Sequence, residues 1–361
     1  MPPRIPIAVV GTGFGTRIQV PGLTASGRFV VVAVVGRRPD RTRTLAAQLG
    51  VPHGLSDLDE ALALPGLRAV SIATPPDTHA EYAIRAARAG LHVLCEKPMA
   101  RSLSEARSMR DATRAAGVAA MVDHEFRFDP ARATLARLIH AGVLGTPQLA
   151  TCIALSPLYV DPYRPAPAWW FDAARGGGWL GASGSHMLDA LRVWLGEVQS
   201  VAALVDHAEA RPGVGQAADA TFSLLLQMAS GATGILQQSA ASWGPRLTLV
   251  RVTGSEATAW IDERWRLWVA SAQREAAQVE VEASLQLPRV AVPDGSGPFA
   301  RWELPAFVRM AERFADAIDG RAGSEPCAAT FDDGVAVQGV MDAARRAARE
   351  HRWVDIEPAC E

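Results

Sequence analysis

The sequence predicts an α/β fold, with a doubly wound parallel sheet in the N-terminal third and a second, α+β domain after it. Three observations carry this. Apolar, β-branched runs alternate with segments of helical spacing from Ile5 to Phe126, and the first run ends in a glycine-rich turn. Beyond that region the strand candidates become longer and alternate apolar with polar residues, as half-covered strands do.

Taken in order, Ile5 to Val10 ("IPIAVV") is the first strand and closes on "GTGFGT" ahead of a helix. Arg28 to Val35 follows as a continuous apolar run, the pattern of a strand buried on both faces. Arg68 to Thr74 and Leu91 to Glu96 repeat it, and Gly117 to Phe126 reads as a further strand. Between them Pro39 to Leu49, Asp77 to Ala89 and Ser102 to Ala116 carry helical spacing, with Asp77 and Ser102 as N-cap candidates. Strand and helix in repetition imply right-handed crossovers.

Gly11, Gly13 and Gly15 stand at the first strand-to-helix turn, with Phe14 and Thr16 among them. Glycine permits the tight turn and lets a pyrophosphate approach backbone N–H groups at the positive end of a helix. The context favours a Rossmann dinucleotide site over a purely structural turn. Thr16 holds the third fingerprint glycine position, which predicts a helix set slightly farther from the sheet. At the tip of the second strand an NAD site usually carries Asp or Glu for the ribose 2′-OH. This chain has Gly36, Arg37 and Arg38 instead. Two guanidinium groups and no carboxylate favour NADP (NADPH), with NAD the less favoured cofactor.

A length of 361 residues predicts two domains with substantial cores. With 49% hydrophobic and 20% charged residues and a net charge of -2, the chain reads as an ordinary soluble protein. Its arginines are scattered, which argues against a nucleic-acid or membrane partner. The first residues are too short an apolar run for a signal peptide, and no apolar stretch is long enough to span a bilayer, so the cytoplasm is the expected location. Cys95, Cys152, Cys327 and Cys360 lie far apart without C-x-x-C or zinc-ligand spacing, so reduced structural thiols and no metal are expected.

One position departs from the chain's habit. Of 36 lysines and arginines, only Lys97 is lysine. Arginine stays protonated, whereas an ammonium is compact and can exchange its proton in a reaction. A site of proton transfer is the natural place for the exception.

Lys97 lies in "EKP" after a strand, and here the chain resembles the glucose-fructose oxidoreductase and inositol dehydrogenase family (Gfo/Idh/MocA). The glycine fingerprint, "ATPPDTHAEYAIRAARAGLHVLCEKPMA", "FRFDPARATLARLIHAGVLGTP" and "GGGWLGASGSHMLDALRVWLGEV" occur in family order. The resemblance implies a Rossmann domain over residues 1–124. From residue 125 to 361 it implies a substrate and oligomerisation domain built on a large, mostly antiparallel open sheet. Val198 to Val205, Ala220 to Met228, Ala232 to Gln238 and Leu247 to Thr253 supply its strands, and a helix begins near Ser183. Pro305 to Ile318 and Phe331 to Arg349 would be the final helices. Trp260, Trp265 and Trp268 read as core or sheet-face anchors, and residues 273–300 carry only weak periodicity.

The resemblance also implies roles. Glu96 and Lys97 would border the nicotinamide ribose, Thr74, Pro75, Pro76 and His79 would line the cofactor groove, and Pro98 would fix the chain at the domain crossing. Lys97 would hydrogen-bond the reacting oxygen and move its proton while hydride passes to or from the nicotinamide. After the triple glycine the family pattern has an acid, then a glycine, then a histidine at spacings of two. Here those positions are Ala182, Gly184 and His186, so the histidine is present and the acid is missing.

Lys97 and His186 remain the catalytic candidates, His186 because imidazole exchanges a proton near neutral pH. Glu125 is the favoured substitute acid. Asp189, three residues after His186, and Asp172 in "WWFD" are alternatives, and Trp169 and Trp170 are candidates for an apolar pocket wall. Arg127 completes the substrate-side set with Glu125, Trp170, His186 and Asp189. Three functions stay open: an NADP(H)-dependent oxidoreductase of a secondary alcohol or ketone on a sugar, cyclitol or polyol; a reductase of another C=O or C=N group on a less polar metabolite; and a silent NADP-binding regulator. A homodimer or homotetramer is expected, with Phe222, Leu224, Leu226 and Trp260 as contact candidates.

Overall fold

The computed structural model describes residues 3–161, 166–208, 215–293, 297, 299–321, 323 and 325–357. The chain forms two compact units. The first comprises residues 1–100, 104–129 and 287–335, and the second residues 101–103, 130–286 and 336–361. Sequence reasoning places the second domain from residue 125 onward, whereas a late stretch of chain returns to the first unit.

The first unit is built on β1 (Ile5–Val10), β2 (Phe29–Val35), β3 (His53–Leu55), β4 (Ala69–Ile72), β5 (His92–Cys95) and β6 (Ala120–Val122). These pair in parallel in the order β3-β2-β1-β4-β5-β6. The order reverses between β1 and β4, where open α/β sheets bind ligands beyond the strand ends. The helices are α1 (Val20–Ala25), α2 (Pro39–Gln48), α3 (Leu58–Leu62), α4 (His79–Arg88) and α5 (Leu103–Ala115). β1 matches its sequence expectation residue for residue. β3 and α3 lie between segments that sequence periodicity resolves, and each is too short to show a period of its own.

The returning chain completes this core. Its helix α8 (Ala300–Ile318) packs against α1, and Gly22 makes room for it, since a Cβ there would collide with the Phe307 ring. Phe29 of β2 stacks on Phe314 with ring centroids 5.8 Å apart. Arg28 closes the contact through ion pairs of 2.8 Å to Asp316 and 2.8 Å to Asp319.

The second unit holds α6 (Pro130–His140), β7 (Pro147–Leu155), α7 (Ser185–Leu195), β8 (Val198–His207), β9 (Asp219–Met228) and β10 (Thr233–Ser239). It continues through β11 (Leu247–Gly254), β12 (Ala257–Ile261), β13 (Leu267–Ser271) and β14 (Arg274–Gln278). The last helix α9 (Phe331–Glu350) begins in the first unit and ends in the second, and β15 (Val354–Asp355) follows. The nine strands run β14-β13-β12-β11-β7-β10-β9-β8-β15, with β7 and β10 parallel and every other pair antiparallel.

Strand alternation sends one side of this sheet into the core with α6, α7 and α9. Phe222, Leu224 and Leu226 are on that side and fully buried within the chain, so they are not available for a subunit contact. The opposite side carries Leu225, Leu204, Leu247 and Leu149, all exposed, together with Trp260. There Trp260 stacks on Trp268 with centroids 6.4 Å apart, and the Arg251 guanidinium lies 5.4 Å from the Trp260 ring. Trp265 takes a positive φ of 59° in the β12–β13 turn, beneath Arg132.

Candidate functional site

The glycine turn stands at the switch point. Gly11 has φ of 132° and lies against the Ala73 carbonyl, so any side chain would meet both conformational and steric cost. A Cβ on Gly13 would meet nothing within 4 Å, which leaves room for a phosphate to approach the backbone. Gly15, not position 16, makes the close approach to the sheet: a Cβ there would stand 2.9 Å from Val9 Cγ1. Residues Gly15–Gln19 form a π-helical turn before α1. Thr16 is buried, with its hydroxyl returned to the Thr12 and Gly13 carbonyls at 3.2 Å each. The wide turn thus moves the close-packing role by one residue. Phe14 is half-buried against the core.

At the end of β2, Gly36 fits tightly between Thr12 and Thr42, while Arg37 and Arg38 are exposed. Asp40, in the first turn of α2, pairs with Arg43 at 2.6 Å. Beyond β4, Thr74 and Pro75 are half-buried and Pro76 is buried. His79, expected to line the groove, is fully buried behind this loop. Its Nε2 lies 2.8 Å from the Thr74 carbonyl and its Nδ1 3.1 Å from the Pro98 carbonyl. Burial lowers its pKa, and the neutral ring donates to only one carbonyl at a time. Its role is to brace the loop that carries Thr74 to Pro76.

Lys97 is half-buried, and its backbone N–H donates to Glu96 Oε2 at 3.3 Å. Beneath it lies a polar network inside the sheet. Gln19 Nε2 donates to Glu96 Oε1 at 3.0 Å and to Asp123 Oδ2 at 3.3 Å, and Ser71 Oγ donates to Gln19 Oε1 at 2.7 Å. Burial first, then the charges of Glu96 and Glu125, push the Asp123 carboxyl well above its ordinary range.

Glu125 opens a single 3-10 turn, Glu125–Phe128, after β6 and is buried. Desolvation raises its pKa to about 8, with the Lys97 ammonium pulling the other way. The structure therefore brings Glu125 and Lys97 into one electrostatic group. Glu303 in the first turn of α8 joins them, raised to about 7 by burial and again opposed by Lys97. Arg127 is committed elsewhere: it pairs with Asp333 at 3.0 Å and donates to the Cys327 carbonyl at 3.4 Å. That corrects its assignment to the substrate, because its fork is taken up in tying down the returning chain.

In the second unit Ala182 lies on a π-helical turn, Leu180–Gly184, that leads into α7. His186 and Asp189 are both buried on α7, one turn apart. The carboxylate at the head of this segment is Asp219 of β9, whose Oδ2 accepts the Leu180 N–H at 2.6 Å. Asp172 caps a 3-10 turn through a 3.1 Å bond from the Ala174 N–H, a structural task. Trp170 is half-buried in an aromatic group with Tyr159, Trp169 and Trp179, at centroid distances of 6.0, 6.0 and 6.3 Å.

Sequence reasoning did not single out Gln19, Asp123, Asp219 or Glu303. Only Asp123, two residues before Glu125, had a nearby signal. Cys95 and Cys152 are buried free thiols, Cys327 is exposed and free, and Cys360 lies outside the described residues. Among the described residues, no His, Cys, Asp or Glu cluster suits a metal ion, and no helix is long and apolar enough to cross a membrane.

The comparisons agree with this architecture. Residues 5–124 match the oxidoreductase family with an NAD-binding Rossmann fold, and residues 133–260 match the GFO/IDH/MocA C-terminal domain. The chain is 28% identical to levoglucosan dehydrogenase of Pseudarthrobacter phenanthrenivorans, over 88% of this chain and 87% of that protein. It is 27% identical to inositol 2-dehydrogenase of Rhizobium meliloti, over 96% of this chain and 98% of that protein. The fold matches a solved levoglucosan dehydrogenase in complex with NADH with a TM-score of 0.85, at 24% identity over 98% of this chain and 100% of that one. The glycine turn, Glu96 and Lys97 lie within the first matched segment and strands β7 to β11 within the second, and the chain belongs to the GFO/IDH/MocA oxidoreductases.

Proposed function

We propose that the protein is an NADP(H)-dependent oxidoreductase that interconverts a secondary alcohol and a ketone on a sugar, cyclitol or related polyol. The observation that carries this reading is the solitary Lys97 at the rim of a buried carboxyl group, in the unit that bears the dinucleotide turn. Relatives named for levoglucosan and inositol support the polyol class.

The residues present fit a dinucleotide. Gly13 leaves open space at the head of the turn, and Gly11 permits the backbone that frames it. The cofactor, when bound, supplies or accepts hydride at its nicotinamide. Lys97 exchanges the hydroxyl proton, and His186 is the second candidate for proton exchange near neutral pH.

Arg37 and Arg38 are exposed at the tip of β2, where a 2′-phosphate would be read. NADP is therefore expected to bind more tightly than NAD, measured as dissociation constants by fluorescence titration. Replacing both arginines by alanine should cost NADP about 1.5–3 kcal/mol per charged hydrogen bond lost and leave NAD nearly unchanged. Equal constants for the two cofactors in the parent protein would overturn the preference.

A second reading is reduction of a C=O or C=N group on a less polar metabolite. The aromatic group of Tyr159, Trp170, Phe171 and Trp179, with Ala182 in place of an acid, favours it. Activity with an apolar ketone or imine panel, and none with polyols, would select it.

The exposed side of the nine-stranded sheet is assigned to a second copy of the chain, giving a homodimer or homotetramer. Leu204, Leu225 and Trp260 are its natural anchors, since an apolar sheet face of this breadth is rarely left in water. Leu225→Arg should shift sedimentation toward the monomer, and a monomeric parent protein at micromolar concentration counts against the assembly.

A further inference from the structure

The π-helical turn that follows the glycines ends on Gln19, a fully buried polar side chain of the first unit. Burying an amide is costly unless its groups are paired, and both ends of this one are. Nε2 donates one N–H to Glu96 Oε1 at 3.0 Å and the other to Asp123 Oδ2 at 3.3 Å, while Oε1 accepts from Ser71 Oγ at 2.7 Å. The partners come from three neighbouring strands: Ser71 lies in β4, Glu96 directly after β5 and Asp123 directly after β6. Turning the amide over would aim its oxygen at two carboxyl groups, so the three partners fix its orientation.

The network runs on past Glu96. The second oxygen of that carboxyl, Oε2, accepts the Lys97 backbone N–H at 3.3 Å. Other contacts hold the chain on either side: the Glu96 N–H donates to the Ile72 carbonyl at 2.9 Å, and His79 Nδ1 lies 3.1 Å from the Pro98 carbonyl. Between these two anchors the Lys97 peptide is held by the Glu96 side chain, which has rotamers of its own. Gln19 pins one oxygen of that side chain and so aims the other. An apolar residue at position 19 would fill the same volume and leave two buried carboxyls without these donors.

We infer that Gln19 is a positioning residue for Lys97: its amide clamps the Glu96 carboxyl, and the clamped carboxyl fixes the Lys97 main chain through its N–H. The use made of that lysine rests on the alcohol–ketone reading above, and the clamp rests on the hydrogen bonds alone. A reacting group displaced by a fraction of an ångström loses rate more than substrate affinity. The effect of Gln19 therefore falls on the chemical step.

Lys97 is the single lysine of the chain, so labelling lysine alone with the heavy nitrogen isotope gives one backbone amide resonance. Hydrogen exchange at that resonance reads the Lys97 N–H in the full chain without cofactor or substrate. Gln19→Met, close in size and unbranched, should speed the exchange about 3- to 10-fold. Ser71→Ala, which releases the Gln19 oxygen and keeps both amide N–H groups, should speed it by a smaller factor. Phe314→Leu thins the ring stack with Phe29 in the same unit, so it should lower the melting temperature without speeding Lys97 exchange. Exchange unchanged in Gln19→Met, or raised equally in Phe314→Leu, overturns the clamp. If Gln19→Met does not fold, Ser71→Ala decides, and an unchanged exchange there overturns it. With levoglucosan and myo-inositol as kinetic probes, Gln19→Met should lower kcat about 10-fold and leave KM within about 2-fold. A raised KM with kcat unchanged overturns the positioning role. If neither probe is oxidised, the polyol reading fails, and the Lys97 resonance still decides the clamp.

Discussion

Lys97→Arg is expected to bind NADPH as the parent does and to slow hydride transfer by about 10²–10⁴-fold. The charge is kept, so attraction for an anionic cofactor changes little. The loss falls on two properties that guanidinium lacks. It does not readily give up its proton, and its planar fork differs in shape from a compact ammonium. Lys97→Met should be impaired at least as much, because it also removes the cation that opposes protonation of Glu125 and Glu303. Single-turnover hydride transfer at saturating cofactor separates chemistry from binding. An arginine variant as fast as the parent would sink the proton-transfer role.

The elements that sequence periodicity resolves are those whose burial pattern is local. β1, β2 and the glycine turn are continuous apolar runs closed by glycine, and the structure has them where the sequence predicts. β12 to β14, at one end of the sheet, are five residues each and too short to show much alternation, and β7, nine residues long at the centre of the sheet, alternates only weakly in burial. The start of α8 was misread for a clearer reason. Proline is favoured at the first helical position, so Pro305 reads as a helix start. It lies inside the helix instead, which begins at Ala300 and carries Glu303 in its first turn. A half-buried carboxyl that lies 206 positions along the chain from Lys97 leaves no spacing signal, although the Lys97 charge acts on it in the folded chain.

The candidate site divides in the same way. Lys97 announces itself by composition, and Glu125 by lying just past a strand end. His79 and Arg127 have the right chemistry for a groove but are consumed by internal contacts, which sequence cannot distinguish. The sheet residues show the same limit. Alternation separates Phe222, Leu224 and Leu226 from Leu225, yet which side the helices cover is a property of the assembled unit.

His186→Ala is expected to lower the chemical step by about 10²–10⁴-fold if the imidazole handles the reacting proton. His186 is buried on α7 with Asp189 one turn later, and Asp219 caps the segment that leads into the helix. The alanine variant therefore removes a titratable ring from a rigid element and leaves the element's start intact. Cofactor binding should persist, because the glycine turn and the arginines belong to the other unit. Its companion, Ala182→Asp, returns the acid that the family pattern carries at that position. Ala182 is half-buried on the π turn that leads to His186, so a carboxylate there enters a partly desolvated setting. Turnover of levoglucosan or myo-inositol is expected to rise in Ala182→Asp, since a carboxylate stabilises the charged imidazole. A fall would mean that the turn has been rebuilt for a less polar substrate, with Tyr159, Trp170 and Trp179 as its aromatic wall. In His186→Ala the added aspartate should give no gain, because its benefit passes through the imidazole. A gain that survives loss of His186 would assign the proton to the new carboxylate itself.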